Sequence, residues 1–577
     1  MAGDRYPCRN FRRVLSIDGG GLRGIIPARV LEELEEIIKK VAEKRKLQPK
    51  DGKATGHIHL ADYFDVVAGT SAGALLASYF ATKGQLGPEL VQQCQQHLLQ
   101  QPPPDWVKDE LKDDLNPAGR LWEPDHFGNL TAGSARAAQA IFLAKASEIF
   151  PVAKPPALLP AHLVSILSYI RNARRVKYTA EGIDAVLQCA FGGKEMTLAS
   201  LADAHKLHAS LYIQAFDVDL NRGHAFWYAH DKTMDPGAHG YAVMWRTMPR
   251  PERSNAHKMA PFSNKVDLIL MKRHNFRLWE AIRASAAAPT FLPAMRVTPF
   301  RMTAAGSQPL DVHQMVDGGL VANNPTRPAT VFASILHGTA GAAGSRSNNL
   351  DLQDLAVLSL GCGYSPGSKL HSIADDAGQL PWVKGPLIGV LMSGRGTVDA
   401  AMDCEILPQA MKTTLESGQY TRIDIADPDF GLPEAARTNG THRLWPDDEL
   451  TLLPLEVDGQ TITVPVPTVE VDAATQAGRD LTELARRERL DRNRPLGAAG
   501  DEKRPADVLS RIDATEDIWH LLEMGRRLAT DDSFFTRESL TKFVEDFVLV
   551  DPEEQQPQPA NGSAAHPIAT ADVVLTS

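Results

Sequence analysis

The chain opens with two changes of hydrophobic period. Val14–Leu15–Ser16–Ile17 is a short β-prone run, followed by Gly19, Gly20 and Gly21. Beyond Pro27, Val30, Leu31, Leu34, Ile37, Ile38 and Val41 recur at the spacing of one helix face, and the charged run Lys39 to Lys46 reads as its solvated end. A second apolar run, Tyr63 to Ala68, suits a strand buried on both faces, and the small residues from Ala72 to Ala81 suit a close-packed helix. Strand, helix, strand, helix at this spacing predicts an α/β fold. Further strands are predicted at Leu211–Phe216, Met315–Val316 and Ala356–Leu360, a hairpin around Asp458-Gly459, and a helix from Asp513 to Ala529.

Composition narrows the class. With 577 residues, 43% of them hydrophobic and 23% charged, the chain can bury a sizeable core. A net charge of −10 argues against a nucleic-acid polymer as partner. Five scattered cysteines without a Cys-x-x-Cys pair read as reduced thiols, not as a disulfide framework or a zinc site. Neither a signal peptide nor a membrane-spanning stretch is recognisable, so a cytoplasmic protein is expected, meeting any lipid from the water side.

Three turns carry candidate chemistry. Gly19-Gly20-Gly21-Leu22-Arg23-Gly24, between a strand and a helix, fits the dinucleotide fingerprint. Amides freed at a helix N-terminus hold any anion, however, whether a pyrophosphate or the oxyanion of acyl transfer. The acidic residue that a nucleotide site wants about 20 positions on would fall at Lys39 to Glu43, inside the helix. Gly69-Thr70-Ser71-Ala72-Gly73 fits the nucleophile elbow, whose alternative is a structural turn with an idle serine. Asp317-Gly318-Gly319 could supply a base if burial raises the carboxyl pKa, although such a tripeptide alone is more often a turn.

In this order the three motifs resemble the patatin-like phospholipase family. Leu60 to Val67, Ala286-Ala287-Ala288-Pro289-Thr290, Asn323-Asn324-Pro325, Leu358 to Gly361 and Gln419 to Asp424 are similar to family segments too, so the likeness runs from Arg13 to Ala529 with insertions. The resemblance implies a three-layer sandwich with a mostly parallel sheet and helices on both faces. It implies lipid acyl hydrolysis by a Ser71–Asp317 dyad, with Ser71 as nucleophile, Asp317 as base and an oxyanion hole at Gly19, Gly20 and Gly21. Arg23 and Gly24 belong to that loop, Arg23 holding it; Gly69 and Gly73 shape the elbow, and Gly318 and Gly319 follow the base. It implies no cofactor, no metal and no catalytic histidine. Cys362, where plant members often have threonine, is expected away from the motifs.

The expected organisation is an arm at 1–12, a catalytic domain at 13–430 with an insertion at about 86–138, an insertion or small subdomain at 431–505, a helical part at 506–550 packing on the catalytic domain, and a tail at 551–577. The alternatives are a Ser-His-Asp hydrolase, for which His337 is a poor candidate, and an idle binding or storage protein on the same scaffold. The lipid substrate is the one partner implied; oligomeric state is unreadable. Peripheral membrane contact has two candidates, the basic stretch Arg246 to Arg277 and the helical pattern from Leu163 to Lys177, weighed against an ordinary solvated loop and a core helix.

Overall fold

The computed structural model describes residues 12–46, 57–101, 104, 106, 129–151, 176–228, 274–303, 306–339, 355–363, 419–425, 450–457, 460–467, 496, 503, 505–509, 511–530 and 536–549. Both membrane-contact candidates fall largely outside these residues, as does the tail.

The strands are β1 (Arg12–Ile17), β2 (Val66–Thr70), β3 (Ser210–Asp217), β4 (Arg222–Tyr228), β5 (His274–Asn275), β6 (Met295–Val297), β7 (Phe300–Thr303), β8 (Gly306–Pro309), β9 (His313–Asp317), β10 (Leu355–Leu360), β11 (Tyr420–Ile423), β12 (Leu450–Val457) and β13 (Gln460–Pro467). The helices are α1 (Ile25–Lys44), α2 (Ala72–Ala81), α3 (Pro88–Gln100), α4 (Ala135–Ile149), α5 (Glu181–Ala190), α6 (Leu198–Asp203), α7 (Leu278–Ser285), α8 (Thr326–Thr339), α9 (Pro505–Leu509), α10 (Ile518–Thr530) and α11 (Thr536–Phe543).

The main sheet runs β11-β10-β1-β2-β3-β9-β6, with β4 also on β3. From β11 to β3 every pair is parallel; β4 and β9 run antiparallel to β3, and β6 antiparallel to β9. Strand alternation divides the core into two layers. Leu15, Ile17, Val67, Leu211 and Leu358 join the cluster containing α1, α2, α4 and α10, while Val14, Val66, Ala68, Tyr212 and Val357 join Ala329 and Phe332 of α8. The sheet therefore lies between helices on both faces, the predicted α/β sandwich.

Two boundaries differ from the sequence reading. The strand expected from Tyr63 begins at Val66: Tyr63 and Phe64 N–H both turn back to Leu60 O, and the ladder is entered where Asp65 N–H reaches Arg13 O. The insertion expected from residue 86 starts with a core helix, since Leu90, Val91, Cys94 and Leu98 of α3 are buried on one helix face. Its remainder to residue 128 lies mostly outside the described residues. The hairpin about Asp458-Gly459 is present as antiparallel β12–β13. The last predicted helix is α10, which packs along α1.

Candidate active site

One edge of β3 brings two distant motifs together. Its other edge is occupied by β4 from Leu211 to Asp217, so β2 and β9 must share the first. Thr70, the last residue of β2, pairs with Gln214; the next position, Ala215, pairs with Asp317, the last residue of β9. Sheet register thus sets the start of the Ser71 turn beside Asp317.

Ser71 occupies a strained backbone position, φ 53° and ψ −118°, between β2 and α2. Close packing forces the flanking glycines: a Cβ on Gly69 would lie 2.0 Å from Gly73 O, and one on Gly73 would lie 2.1 Å from Ile17 O. Ser71 N–H donates to Ser285 Oγ (2.8 Å), whose hydroxyl donates to Gln214 O (2.5 Å). The end of α7 therefore braces the elbow against β3. Thr70 Oγ1 donates to Ala322 O (2.8 Å), tying β2 to the chain after Asp317-Gly318-Gly319.

Asp317 is fully buried. Gly319 N–H donates to its Oδ1 (2.7 Å), while Oδ2 has no hydrogen-bond partner among the described residues. Burial raises the carboxyl pKa to about 7 against the smaller opposing pull of the Gly319 amide, the Ser71 hydroxyl and the Arg283 charge. The Ser71 hydroxyl thus acts on the carboxyl without reaching ordinary hydrogen-bond geometry, a looseness common in sites without substrate. Gly318 is required by contact, because a Cβ would lie 2.1 Å from Gln214 O. Arg283 is itself buried; its Nε donates to Asp184 and its Nη2 to Pro293 O, and Nη1 has no hydrogen-bond partner among the described residues.

The glycine loop lies beside Ser71, with a virtual Cβ on Gly19 at 3.2 Å from Ser71 Cβ. Its amides are not equivalent. Gly19 N–H donates to Asn323 O (3.0 Å) and Leu22 N–H to Ile512 O (2.8 Å), so both are committed. Among the described residues, Gly20 and Gly21 N–H have no acceptor. Arg23 spans the loop's surroundings, Nε reaching Gly20 O (3.3 Å) and Nη1 reaching Gly363 O (2.9 Å) and Leu509 O (3.1 Å). Gly24 packs against Ala72 and Phe142. At the loop's root, Arg422 grips both oxygens of Asp18 (2.9 and 2.6 Å) and also bonds Asp424 (2.8 Å). Cys362 is not remote from the motifs: its Sγ bonds Asp18 O (3.3 Å), and a Cβ on Gly20 would lie 2.5 Å from its own Cβ.

An apolar cavity of about 570 Å³, counting its open mouth, leads away from Ser71 between Leu75, Phe142, Phe150, Phe291 and Ile512. No described histidine is hydrogen-bonded to Ser71 or Asp317, and His337 falls within α8. Ser285, Arg283 and Ile512 were not singled out from the sequence, and Asn323 and Arg422 entered only within segments similar to the family, with no role assigned. Ser285 and Arg283 stand just before the Ala286–Pro289 stretch, which is the one local sign that could have drawn attention to them.

Comparison with known proteins agrees with this architecture. Patatin-17 of Solanum cardiophyllum is 50% identical over 72 residues, 12% of this chain and 16% of that protein. "Probable inactive patatin-like protein 9" of Arabidopsis thaliana is 25% identical over 370 residues, 63% of this chain and 65% of that one. The chain thus spans less than two thirds of the length of these relatives. The crystal structure of VipD from Legionella pneumophila aligns over 74% of this chain and 64% of that one, at 10% identity and a TM-score of 0.20, too loosely to carry an argument. The family described as patatin-like phospholipase matches residues 15–330, more than half of the chain and all three motifs, and the chain belongs to that family.

Proposed function

We propose that this protein is a phospholipase A-type serine esterase that hydrolyses acyl esters of glycerophospholipids or related lipids through Ser71 and Asp317. The observation that carries the reading is the isolated buried carboxylate, with Oδ2 unoccupied and its pKa raised to about 7, beside a serine held at φ 53°. A carboxylate so perturbed is a competent base near neutral pH. Ser71 Oγ attacks the acyl carbon while its proton passes to Asp317, and the carbonyl electron pair moves onto oxygen. That oxyanion faces the Gly20 and Gly21 amides at the start of the α1 turn, aided by the N-terminus of α2. Collapse breaks the ester C–O bond, and Asp317 returns its proton to the leaving alcohol. Water then repeats the sequence on the acyl-enzyme and frees the fatty acid.

In this reading Gly19 and Gly24 serve close packing, Arg23 holds the loop, and the apolar cavity takes the acyl chain. Residues 13–430 form the catalytic domain, against which 506–550 pack. No described helix is long and apolar enough to cross a membrane; the lipid is met peripherally, from the cytoplasmic side. A panel of phospholipid and acylglycerol classes, with products identified by mass, tests the proposal: wild type releases fatty acid from at least one class and Ser71→Ala from none. Equal release by both would refute it.

A second reading, an idle scaffold, is favoured by the relative named as inactive. Covalent labelling by a fluorophosphonate separates the two, because only an activated serine reacts.

A further inference from the structure

The family match ends at residue 330, yet one wall of the cavity comes from much later in the chain. Leu509 closes α9, and Ile512 and Asp513 follow it across the glycine loop. The approach is backbone on backbone. Leu22 N–H donates to Ile512 O at 2.8 Å, and a Cβ on Gly21 would lie 2.3 Å from that same oxygen. Gly21 also sits at φ 59°, so only glycine satisfies both the conformation and the contact. Arg23 adds a second tie through Leu509 O. Between these two anchors the half-buried Ile512 side chain lines the cavity that contains Ser71.

The far end of the segment is latched to a second stretch of the cavity lining. Asp513 is buried and accepts from Tyr178 Oη (2.7 Å) and from Lys177 Nζ. Lys177 and Tyr178 N–H in turn donate to Thr290 O and Phe291 O (2.8 Å each), and Phe291 is a cavity wall. Lys177 Nζ also lies 5.6 Å from the Phe291 ring centroid. Although burial works against charge on Asp513, the Lys177 and Tyr178 bonds prevail and hold its carboxyl below the usual range.

We propose that Leu509, Ile512 and Asp513 act as a specificity strap: Ile512 limits the bulk of acyl chain that the cavity accepts, and its carbonyl holds Gly21 and Leu22 in place while Asp513 latches the strap shut. The proposal rests on the assignment of Ser71 as nucleophile. Side chain and carbonyl have separable consequences. Shortening the side chain changes which chain fits, whereas unlatching the strap disturbs the loop for every substrate alike.

The test is a series of p-nitrophenyl esters of increasing acyl length, with kcat and KM measured for wild type, Ile512→Ala, Ile512→Trp and Asp513→Asn. One methylene in an apolar pocket discriminates by roughly 10-fold or more. Ile512→Ala is therefore expected to raise the long-to-short ratio of kcat/KM by about 10-fold, and Ile512→Trp to lower it similarly. Asp513→Asn is expected to lower kcat several-fold at all lengths with an unchanged ratio. Ile512→Val, which removes one methyl, gives a smaller shift in the Ala direction and serves should Ile512→Ala not fold. An active wild type whose Ile512 variants all keep the wild-type ratio overturns the strap alone. A wild type that neither hydrolyses any ester nor takes a fluorophosphonate overturns the Ser71 assignment itself.

Discussion

The turns after β1 and β2 look alike in outline, each a glycine-rich passage from a parallel strand into a helix, but they are held in opposite ways. The Ser71 turn presents a side chain. Its supports are partly near, since Gly69 and Gly73 let α2 lie against β1 and β2, and partly remote, since Ser285 on α7 accepts from the Ser71 amide. The Gly19–Gly24 loop leaves two backbone amides without acceptors among the described residues, and its supports are remote in sequence: Asn323, Gly363, Arg422, Leu509 and Ile512. One strained residue can be aimed by its flanking glycines and a single remote acceptor for its amide. A pair of amides can be kept free only if the surrounding chain engages the amides on either side, as Asn323 O and Ile512 O do here.

The comparison is broken most severely at the side chain. Ser71→Ala is expected to lower kcat by roughly 10⁴-fold or more, and adding Asp317→Ala should cost little further because the two act as a unit. Strictly additive losses in steady-state kinetics would contradict the dyad. Gly20→Val comes next, at roughly 10²-fold in kcat, the scale of one lost oxyanion donor. Its Cβ would press on Cys362 and move the amide. Normal turnover in this variant would make the loop merely structural. A smaller effect, about 10-fold in kcat with little change in KM, is expected for Arg23→Lys. A lysine has no planar fork with which to join Gly20, Gly363 and Leu509 carbonyls. A purely KM effect would place Arg23 in substrate binding instead.

The smallest effect is on stability, and its sign depends on pH. The Asp317 pKa is raised to about 7 in the fold against about 3.9 in an unfolded chain. The protonated form is therefore favoured by folding, and that contribution is present below the unfolded pKa and lost as pH rises through 7. Asp317→Asn avoids ionisation, so its melting temperature relative to wild type should be higher at pH 8.5 than at pH 5.5, by a few °C. A difference that does not change with pH would show that the carboxyl is not buried in this way.

Local rules made the elbow legible, since Gly69, Ser71 and Gly73 are constrained by one strand and one helix that the hydrophobic pattern already announces. Asp317 was visible locally only as a candidate base in an Asp-Gly-Gly turn, and its pairing with Ser71 was reached by family resemblance. Its physical link to Ser71 is the shared edge of β3, and no local pattern carries the register of strands so far apart. For the same reason the roles of Asn323, Arg422 and Ile512 could not be read: each acts through a backbone atom or a buried ion pair distant in the chain. Cys362 was misread as remote because Leu358–Gly361 ends a strand adjacent to β1, a neighbour relation visible only in the sheet order. The late start of β2 had a similar cause, with the Leu60 carbonyl taking the Tyr63 and Phe64 amides out of the ladder.

The pairing of Ser71 with Asp317 is tested most directly by the rate of fluorophosphonate labelling as a function of pH, in wild type and Asp317→Asn. Labelling needs the serine and its base but no lipid, membrane or acyl preference. The wild-type rate should climb tenfold per pH unit on the acid side and level off above a midpoint near the Asp317 pKa of about 7. In Asp317→Asn that limb should vanish and the plateau should fall by orders of magnitude. Labelling of the variant at the wild-type rate, or a wild-type rate that does not change between pH 5 and 9, would contradict Asp317 as the base.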